Sequence, residues 1–232
     1  MRGCCVYKIE THLHTLYGSG CGKMNERQIV SGYIAAGYHG LIVTDHYNRD
    51  TRWYPARFPN LPGTDLYGFL EGYDRVKEEG ERRGLKVYKG AELRFDGSPN
   101  DYLLIGYSDD LLREPEKVFR MGLEAFSRYA RQDGAILIQA HPCRDSCQPP
   151  CTPAEGRWLD GVEIFNGNPR AHNQNEKAEA FACSMGHLIR LSGSDCHQPE
   201  DIGLGGIYTG RLPQNDRELV RLLKERKYTL IY

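Results

Sequence analysis

Short, nearly continuous apolar runs constrain the fold of this 232-residue chain more than any other feature of its sequence. Each run is rich in Val, Ile, Leu and Tyr. A run without polar alternation is typical of a strand that is covered on both faces, as in a parallel sheet. The seven runs span residues 6–12, 41–45, 86–93, 102–106, 135–140, 161–165 and 187–192.

Helical patterns separate several of these runs. Residues 25–36 carry apolar side chains at helical spacing and are followed by Gly37, a typical C-terminal glycine. Further helices are predicted for 65–83, with Asp65 as the cap, from Pro115 onward, for 173–184 and for 216–226. The alternation predicts one α/β domain over residues 1–232, with a parallel sheet that is either open or closed into a barrel. The C-terminal KYTLIY segment predicts one more short strand.

The charge balance gives no global electrostatic argument for a nucleic-acid or membrane partner. The 30 basic and 31 acidic residues nearly cancel. No apolar stretch approaches the ~20 residues of a membrane span. The first residues also lack the apolar core of a signal peptide. We therefore expect a cytoplasmic protein that does not contact a membrane.

The eight cysteines do not suggest a disulfide framework, because a chain of this length can bury a full core. Cys143, Cys147 and Cys151 recur at four-residue spacing in HPCRDSCQPPC. Pro149 and Pro150 disfavour a helix that presents all three thiols to a metal. We expect reduced, unligated thiols in a loop.

Side chains that can bind metal follow five of the apolar runs. They are His12 and His14, Asp45 and His46, Glu92, His141, and Asp195 and His197. Functional sites of parallel α/β folds collect at the carboxyl ends of the strands, so we expect these groups at one rim. Taken separately, each could cap a loop or form an ion pair, whereas one metal cluster accounts for all five.

The spacing of the first pair supports a shared ion. His12 and His14 lie at i and i+2, so an extended segment projects both imidazoles to one side and turns Leu13 into the core. Imidazole and carboxylate ligands suit zinc, iron or manganese.

These segments resemble the PHP (polymerase and histidinol phosphatase) family of metal-dependent phosphoesterases. The resemblance runs from Ile9 to about Ile207 and consists of THLHT, VTDH, GAE, AHP, VEIFN and GSDCH in the family's order. It implies a distorted, TIM-like (β/α)7 barrel of seven parallel strands. It also implies a cluster of two or three divalent metal ions, Zn, Mn or Fe.

The resemblance further implies how the ligands are shared. One ion would take His12, His14, Glu92 and Asp195, a second Glu92 and His141, and a third His46 and His197. Family members often carry an Asp or His after the first strand, where this chain reads YGSGCGK, and Cys21 is the expected, softer substitute. After the fourth run, where some members have a further His, stands Tyr107 or Ser108, which would leave the second ion weakly held or absent.

The expected activity is hydrolysis of phosphate mono- or diesters of small molecules or nucleotides. Clustered divalent ions activate water and neutralise phosphate charge, which assigns catalytic roles to Glu92 and Asp195. His172 is the candidate proton donor. Candidate substrate-binding groups are Arg94, Arg144, Asn166 and Arg170, with Lys23 a weaker one. Glu163 is expected only to orient its neighbours, and no stable nucleic-acid complex is expected.

Three other functions remain open from the sequence. A nuclease, for example an exonuclease acting on short oligonucleotides, could use the aromatic and basic stretch YNRDTRWYPARFP, which also fits a loop that covers the substrate. That stretch contains Tyr47, Arg49, Arg52, Trp53, Tyr54, Arg57 and Phe58. A non-catalytic metal-binding module is the second alternative. A C–N hydrolase of the amidohydrolase type is the third, although those enzymes often use a carboxylated Lys where Glu92 is expected to bridge.

Overall fold

Most of the described β-strands overlap the predicted apolar runs. The computed structural model describes residues 6–51 and 66–232, so the predicted cap Asp65 lies outside the described residues. The strands are β1 (Tyr7–Leu13), β2 (Gly40–Val43), β3 (His46–Tyr47), β4 (Lys86–Arg94), β5 (Asp101–Ile105), β6 (Ile136–Gln139), β7 (Gly161–Asn166), β8 (Ile189–Gly193), β9 (Gly206–Thr209) and β10 (Tyr228–Ile231). Every predicted run contains a strand, and β10 confirms the C-terminal strand. Among the strands of residues 6–51 and 66–232, only β3 and β9 lie outside the predictions.

Five α-helices confirm the helical patterns to within about two residues where both ends were predicted. They are α1 (Glu26–Ala35), α2 (Leu66–Arg83), α3 (Pro115–Asp133), α4 (Asn175–Ser184) and α5 (Asp216–Glu225). Asn25 begins α1 with a capping box, in which its side chain accepts from Gln28 N while the Gln28 side chain accepts from Asn25 N. In the described parts of the chain, no helix combines the length and apolarity that a membrane crossing requires.

The strands form a nearly closed barrel. Nine of them follow the hydrogen-bonded order β10-β9-β1-β2-β4-β5-β6-β7-β8, while β3 pairs with β4. The gap closes where the end of β1 meets the segment after β8. There, His14 N donates to Cys196 O at 2.9 Å and Cys196 N donates to His12 O at 3.1 Å. This pairing is parallel and joins the first strand to residues near the end of the chain.

The prediction of seven parallel strands is not confirmed, because the barrel is mixed. β5 is antiparallel to both β4 and β6, and β9 is antiparallel to β1. Only residues 95–100 connect β4 to β5, and a parallel connection needs a crossover of a dozen or more residues. The apolar runs therefore indicated burial correctly but carried no information on strand direction.

Helix α5 closes the end of the barrel opposite the carboxyl ends of most strands. Its Leu219, Leu222 and Leu223 belong to the same buried cluster as strand residues such as Ile9 and Ile138. At the start of β4, Tyr88 Oη donates to Pro213 O at 2.7 Å and Lys89 N donates to the Asp216 carboxylate at 3.0 Å. The other rim is thus left as the open end of the barrel.

Leu13 is the last residue of β1 and lies between His12 and His14. It is fully buried and packs with Met24, Ile29 and Val30 on the α1 side of the sheet. We expect Leu13→Ala to lower the free energy of unfolding by about 2–5 kcal/mol, because it deletes a packed side chain and leaves a cavity. Urea denaturation in EDTA measures this. The control Val6→Ala, at an exposed position, should change stability by less than about 0.5 kcal/mol. Equal effects of the two substitutions would contradict the orientation of β1.

Candidate metal centre

The metal-binding side chains predicted from the sequence meet at the open rim of the barrel. They form three groups, and within each group the possible ligand atoms lie within 4.8 Å of one another. They are His12 with His14 and Asp195, His12 with Glu92 and His141, and His14 with His46 and His197. Residues from β1, β3, β4 and the segments after β6 and β8 therefore converge.

The centre of this cluster is a buried set of imidazoles and carboxylates. His12 Nε2 lies 3.1 Å from His14 Nε2 and 3.4 Å from both Glu92 Oε1 and Asp195 Oδ1. His14 Nε2 lies 3.3 Å from Glu92 Oε2 and 3.2 Å from Asp195 Oδ1. His141 Nε2 lies 2.8 Å from Glu92 Oε1, so the Glu92 carboxylate contacts all three of these histidines. All five side chains are almost completely shielded from solvent.

The partners of His12 and His14 determine which ring nitrogen is available to a metal. His12 Nδ1 lies 3.0 Å from Glu163 Oε1, and because a carboxylate only accepts, this nitrogen donates. His14 Nδ1 lies 3.1 Å from Ser19 Oγ, whose proton goes to Asp45 Oδ1 at 2.7 Å, so this nitrogen donates as well. In neutral imidazoles, both Nε2 lone pairs then point at the same space. This donor set fits a divalent cation, with outer carboxylates orienting the ligands.

The carboxylates of the cluster are held ionised. Burial opposes ionisation of Glu92, yet His12 and His46 together hold its pKa well below the usual range. Burial likewise opposes ionisation of Asp195, and His12 and Arg144 hold its pKa well below the usual range. Two buried negative charges beside imidazoles are the electrostatic environment that a cation requires.

The pKa values of His12 and His14 are shifted in opposite directions. Burial, together with the nearby His197 and His46, holds the pKa of His14 well below its usual range. Burial also lowers the pKa of His12, but the charges of Glu163, Asp195 and Glu92 outweigh it and raise that pKa well above its usual range. A metal ion at His12 would compete with this proton, so binding is expected to release it.

Two of the cluster residues have left-handed backbone conformations. His141 has φ 29° and Asp195 has φ 49°, a region that non-glycine residues seldom occupy. Such strain persists where the surrounding structure enforces it and is common at functional sites. Gly193 is required nearby, because a Cβ there would lie 2.6 Å from His12 Cβ and 2.7 Å from Glu163 Oε1.

Glu10 holds the backbone beside the cluster ligands His12 and Asp195, and it was not identified from the sequence. Its Oε1 accepts from the backbone N–H groups of Thr11, His12 and Ser194 at 2.9, 3.0 and 2.9 Å. Its Oε2 accepts from Tyr33 Oη at 3.0 Å and from Ser194 Oγ. Glu10 is fully buried, and burial raises its pKa. A glutamate inside an apolar strand is the sequence signal that could have revealed it.

Glu163 and Asp45 are further buried supports. Glu163 Oε2 accepts from His141 N and Asn166 Nδ2, both at 2.9 Å, so the carboxylate contacts two cluster histidines at once. Asn166 is thus placed near the site, one contact away through Glu163. Asp45 accepts from Thr15 N at 2.7 Å and Thr15 Oγ1 at 2.6 Å. Asp45 therefore holds the loop after β1.

Cys21 lies at the outer, more exposed edge of the cluster. The His14 ring stacks against the His197 ring and lies at a tilt of 32° to the His46 ring, with centroid separations of 4.4 Å in both cases. Partial burial opposes ionisation of the Cys21 thiol, but hydrogen bonds to His197 and His46 lower its pKa to about 6. Cys21 is not among the three groups of closely spaced ligand atoms, although it contacts two of their members.

An open cleft adjoins this edge. It has a volume of about 300 Å³ and is lined by Cys21, Lys23, Arg144, Ser146, Asn168, Arg170, Ala171, His197 and Gln198. Arg144 reaches from the cleft to Asp195, to which its guanidinium donates, and Arg144 Nε donates to Asn173 Oδ1 at 3.0 Å. Lys23 Nζ donates to Gln198 Oε1 at 2.7 Å.

Two of the predicted arginines are engaged in bidentate ion pairs. Arg94 donates to both oxygens of Asp101 at 2.7 Å. Arg170 donates to both oxygens of Asp201 at 2.7 and 2.6 Å. Asp201 also accepts from His197 N at 2.9 Å, so the second pair helps to position a cluster histidine.

His172 is not brought into the cluster. It is exposed, has φ 49°, and lies outside the three groups of ligand atoms in the described chain.

The expectation for Tyr107 and Ser108 is wrong. Because β5 is antiparallel, residues after it lie at the opposite end of the barrel, where Tyr107 Oη donates to Gly90 O at 3.2 Å. Asp101, at the start of β5, reaches the rim instead, and its Oδ2 lies 3.9 Å from His141 Nε2.

Comparisons with solved structures show the same fold in several proteins. A two-domain protein from Bacteroides vulgatus, containing a predicted PHP-like metal-dependent phosphoesterase, has 18% identity and a TM-score of 0.71 over 98% of this chain and 65% of its own. The lesion-specific endonuclease PfuEndoQ from Pyrococcus furiosus has 15% identity and a TM-score of 0.61 over 97% of this chain and 58% of its own. An amidohydrolase from Chromobacterium violaceum has 15% identity and a TM-score of 0.56 over 95% of this chain and 97% of its own.

The family is established by sequence. No curated protein matches the chain significantly. The Bacteroides vulgatus and Pyrococcus furiosus proteins are longer than this chain, which spans less than two thirds of each. At these sequence identities, the similarity concerns the fold alone. The PHP domain family, however, matches residues 10–188, which include His12, His14, Glu92 and His141. The chain therefore belongs to the PHP domain family.

Proposed function

We propose that this chain is a metal-dependent phosphoesterase that hydrolyses phosphate mono- or diesters of small molecules or nucleotides. One observation carries the proposal. The Nε2 atoms of His12 and His14 point at a shared space between the ionised carboxylates of Glu92 and Asp195, and each ring is oriented from behind. Such an arrangement is costly to bury unless a cation occupies it. The proposal agrees with family membership and with the phosphoesterase named among the structural neighbours.

The proposed ligands divide into three sets. One ion is held by His12, His14, Glu92 and Asp195, a second by Glu92 and His141, and a third by His46, His197 and Cys21. The nitrogen and oxygen donors suit zinc, manganese or iron, and the Cys21 thiol favours the softer metals at the third position. When bound, such ions supply an activated water and neutralise charge on the phosphate oxygens.

The protein's own residues position the substrate. Arg144 projects into the cleft beside Asp195, where its remaining donors can bind non-bridging phosphate oxygens. Arg94 and Arg170 already use their donors on carboxylates, so we assign the leading role to Arg144. Glu92 and Asp195 stay ionised and hold the cationic centre. His172, which follows Ala171 of the cleft wall in the sequence, is kept in the proposal as the group that protonates a leaving oxygen.

A nuclease is the second candidate, because one structural neighbour is a lesion-specific endonuclease. The described part of the aromatic and basic stretch does not favour it. Tyr47 is fully buried and donates to Leu112 O at 2.6 Å, while Arg49 pairs with Asp96 and Glu116. The other aromatic and basic residues of this stretch, which are Arg52, Trp53, Tyr54, Arg57 and Phe58, lie outside the described residues.

Two alternatives remain, a C–N hydrolase and a metal-binding module without activity. The substrates that the protein turns over distinguish both from a phosphoesterase. One structural neighbour is named an amidohydrolase, which keeps the first alternative in the test. The decisive experiment combines elemental analysis of freshly purified protein with turnover of p-nitrophenyl phosphate, bis-p-nitrophenyl phosphate, short oligonucleotides and amide substrates. We expect bound transition metal and turnover of at least one small phosphoester. Metal without turnover of any ester would favour the module, and amide turnover alone would favour the C–N hydrolase.

Removal of a central ligand should abolish activity. We expect His14→Ala and Asp195→Ala to reduce phosphoester turnover to below about a hundredth of that of the unmodified protein, because loss of an outer-shell partner alone typically costs ~10–100-fold. Circular dichroism should show the same secondary structure. His187→Ala and Asp110→Ala, at exposed positions away from the cluster, are the matched controls. Near-normal turnover with metal still bound in either ligand variant would refute the site assignment.

Glu163 should act through the two histidines that it contacts. Glu163→Gln keeps the shape of the side chain but replaces one accepting oxygen by a donating NH2 group. That group then faces another donor, which is either His12 Nδ1 or the pair of His141 N and Asn166 Nδ2. We expect metal affinity to fall by about 10–100-fold. Competition with a chromophoric chelator measures the affinity without requiring turnover. The exposed Glu176→Gln is the control, and an unchanged affinity in Glu163→Gln would show that this carboxylate does not orient the ligands.

A further inference from the structure

The loop that follows His141 contains a pair of cysteines that the proposed chemistry does not use. Cys147 and Cys151 are both free thiols in the segment HPCRDSCQPPC. The two thiols lie close enough to interact, since each shifts the pKa of the other. Cys147 is half-buried, whereas Cys151 is buried with its Sγ 3.2 Å from the carbonyl oxygen of Pro99. One thiol of the pair is therefore reachable from solvent and the other is held inside.

The pair lies beside groups of the proposed site. Cys147 interacts electrostatically with His141, Arg144 and Arg94. Cys151 N donates to Arg144 O at 3.0 Å, which closes the turn that carries both the thiols and the Arg144 guanidinium. The same Arg144 contacts Asp195. A change in covalent structure between residues 147 and 151 is thus transmitted directly to Arg144.

The two thiols differ in reactivity. The hydrogen bond with Cys151 lowers the pKa of Cys147 to about 6 against the effect of partial burial, with His141 and Arg144 acting in the same direction. The interaction with the Cys147 side chain, together with burial, raises the pKa of Cys151. Because the thiolate is the nucleophile, Cys147 is the residue of the pair suited to attack an oxidant.

We propose that Cys147 and Cys151 form a redox-active dithiol in the loop whose Arg144 and Ser146 line the cleft, and that hydrogen peroxide converts the dithiol into an intraloop disulfide. The Cys147 thiolate attacks one peroxide oxygen, the O–O bond breaks, and the products are a Cys147 sulfenic acid and hydroxide. The Cys151 sulfur then attacks the sulfenic sulfur and displaces hydroxide as the S–S bond forms. The hydroxide ions combine with the protons of the two thiols, so that two thiols are oxidised and one peroxide is reduced to two waters.

The disulfide draws the two sulfurs together to about 2.05 Å and removes the charge of Cys147. Both changes act on the turn whose carbonyl at Arg144 binds Cys151 N. The regulatory consequence rests on the proposed function. Displacement of the phosphate-binding guanidinium is expected to lower phosphoester turnover by about tenfold or more, since small misplacements of positioning groups have effects of that size.

Peptide mapping tests the disulfide independently of turnover. Trypsin cleavage after Arg144 and Arg157 releases residues 145–157, which contain Cys147 and Cys151 but not Cys143. After peroxide treatment and alkylation of the intact protein, we expect this peptide to be two hydrogens lighter than the dithiol and unalkylated. Dithiothreitol should restore double alkylation. A doubly alkylated peptide after peroxide, or a crosslink to the peptide that contains Cys143, would overturn the proposal.

Single variants test the assigned order of attack. In Cys151→Ser, dimedone should trap a sulfenic acid at Cys147, whereas Cys147→Ser should leave Cys151 unmodified over the same time. Cys183→Ser, at an exposed cysteine of α4, is the control and should oxidise at 147–151 like the unmodified protein. Preferential modification of Cys151 would refute the assignment of Cys147 as the attacking thiol.

Turnover separates this proposal from the proposed function. Peroxide should lower phosphoester turnover reversibly in the unmodified protein and not in the double variant Cys147→Ser/Cys151→Ser. Formation of the disulfide with unchanged turnover would refute the regulatory role. If the reduced protein hydrolyses no phosphoester while peptide 145–157 still oxidises, the proposed function fails and the dithiol stands.

Discussion

Backbone pairing between the end of β1 and Cys196 is the contact on which the site depends. Two hydrogen bonds there join residues that are more than 180 positions apart and bring His12 and His14 to Asp195 and His197. Glu10 reinforces this closure, because one buried carboxylate accepts from backbone N–H groups on both sides of the joint. The barrel therefore does more than support the cluster, since its closure assembles the cluster.

The electrostatics of the rim follow from that closure. Burying Glu92 and Asp195 opposes their ionisation, yet the surrounding imidazoles and Arg144 keep both pKa values low. A buried polar network of this kind is stable only when its members are paired or hold a cation. Because Glu163 and Ser19 engage the Nδ1 atoms of His12 and His14, the Nε2 atoms of the two rings remain directed at one another.

The fold was predictable from the sequence where burial alone determines structure. All seven apolar runs contain strands, because a segment covered on both faces must be apolar along its whole length. The direction of β5 was not predictable from hydrophobicity, and the short connection of residues 95–100 was the overlooked signal. This one error misplaced Tyr107 and Ser108 and concealed Asp101. The convergence of the cluster histidines was predictable from strand ends, whereas the supporting role of Glu10 depends on contacts from Tyr33 and Ser194 that no local pattern encodes.

The central claim is that side chains from distant parts of the chain hold cations at one rim of the barrel. Anomalous diffraction from crystals of the purified protein, recorded on both sides of the absorption edge of the bound metal, tests it most directly. We expect anomalous density within about 2.0–2.2 Å of nitrogen and oxygen atoms of His12, His14, Glu92 and Asp195. Crystals that contain metal elsewhere, with no anomalous density among these four side chains, would contradict it.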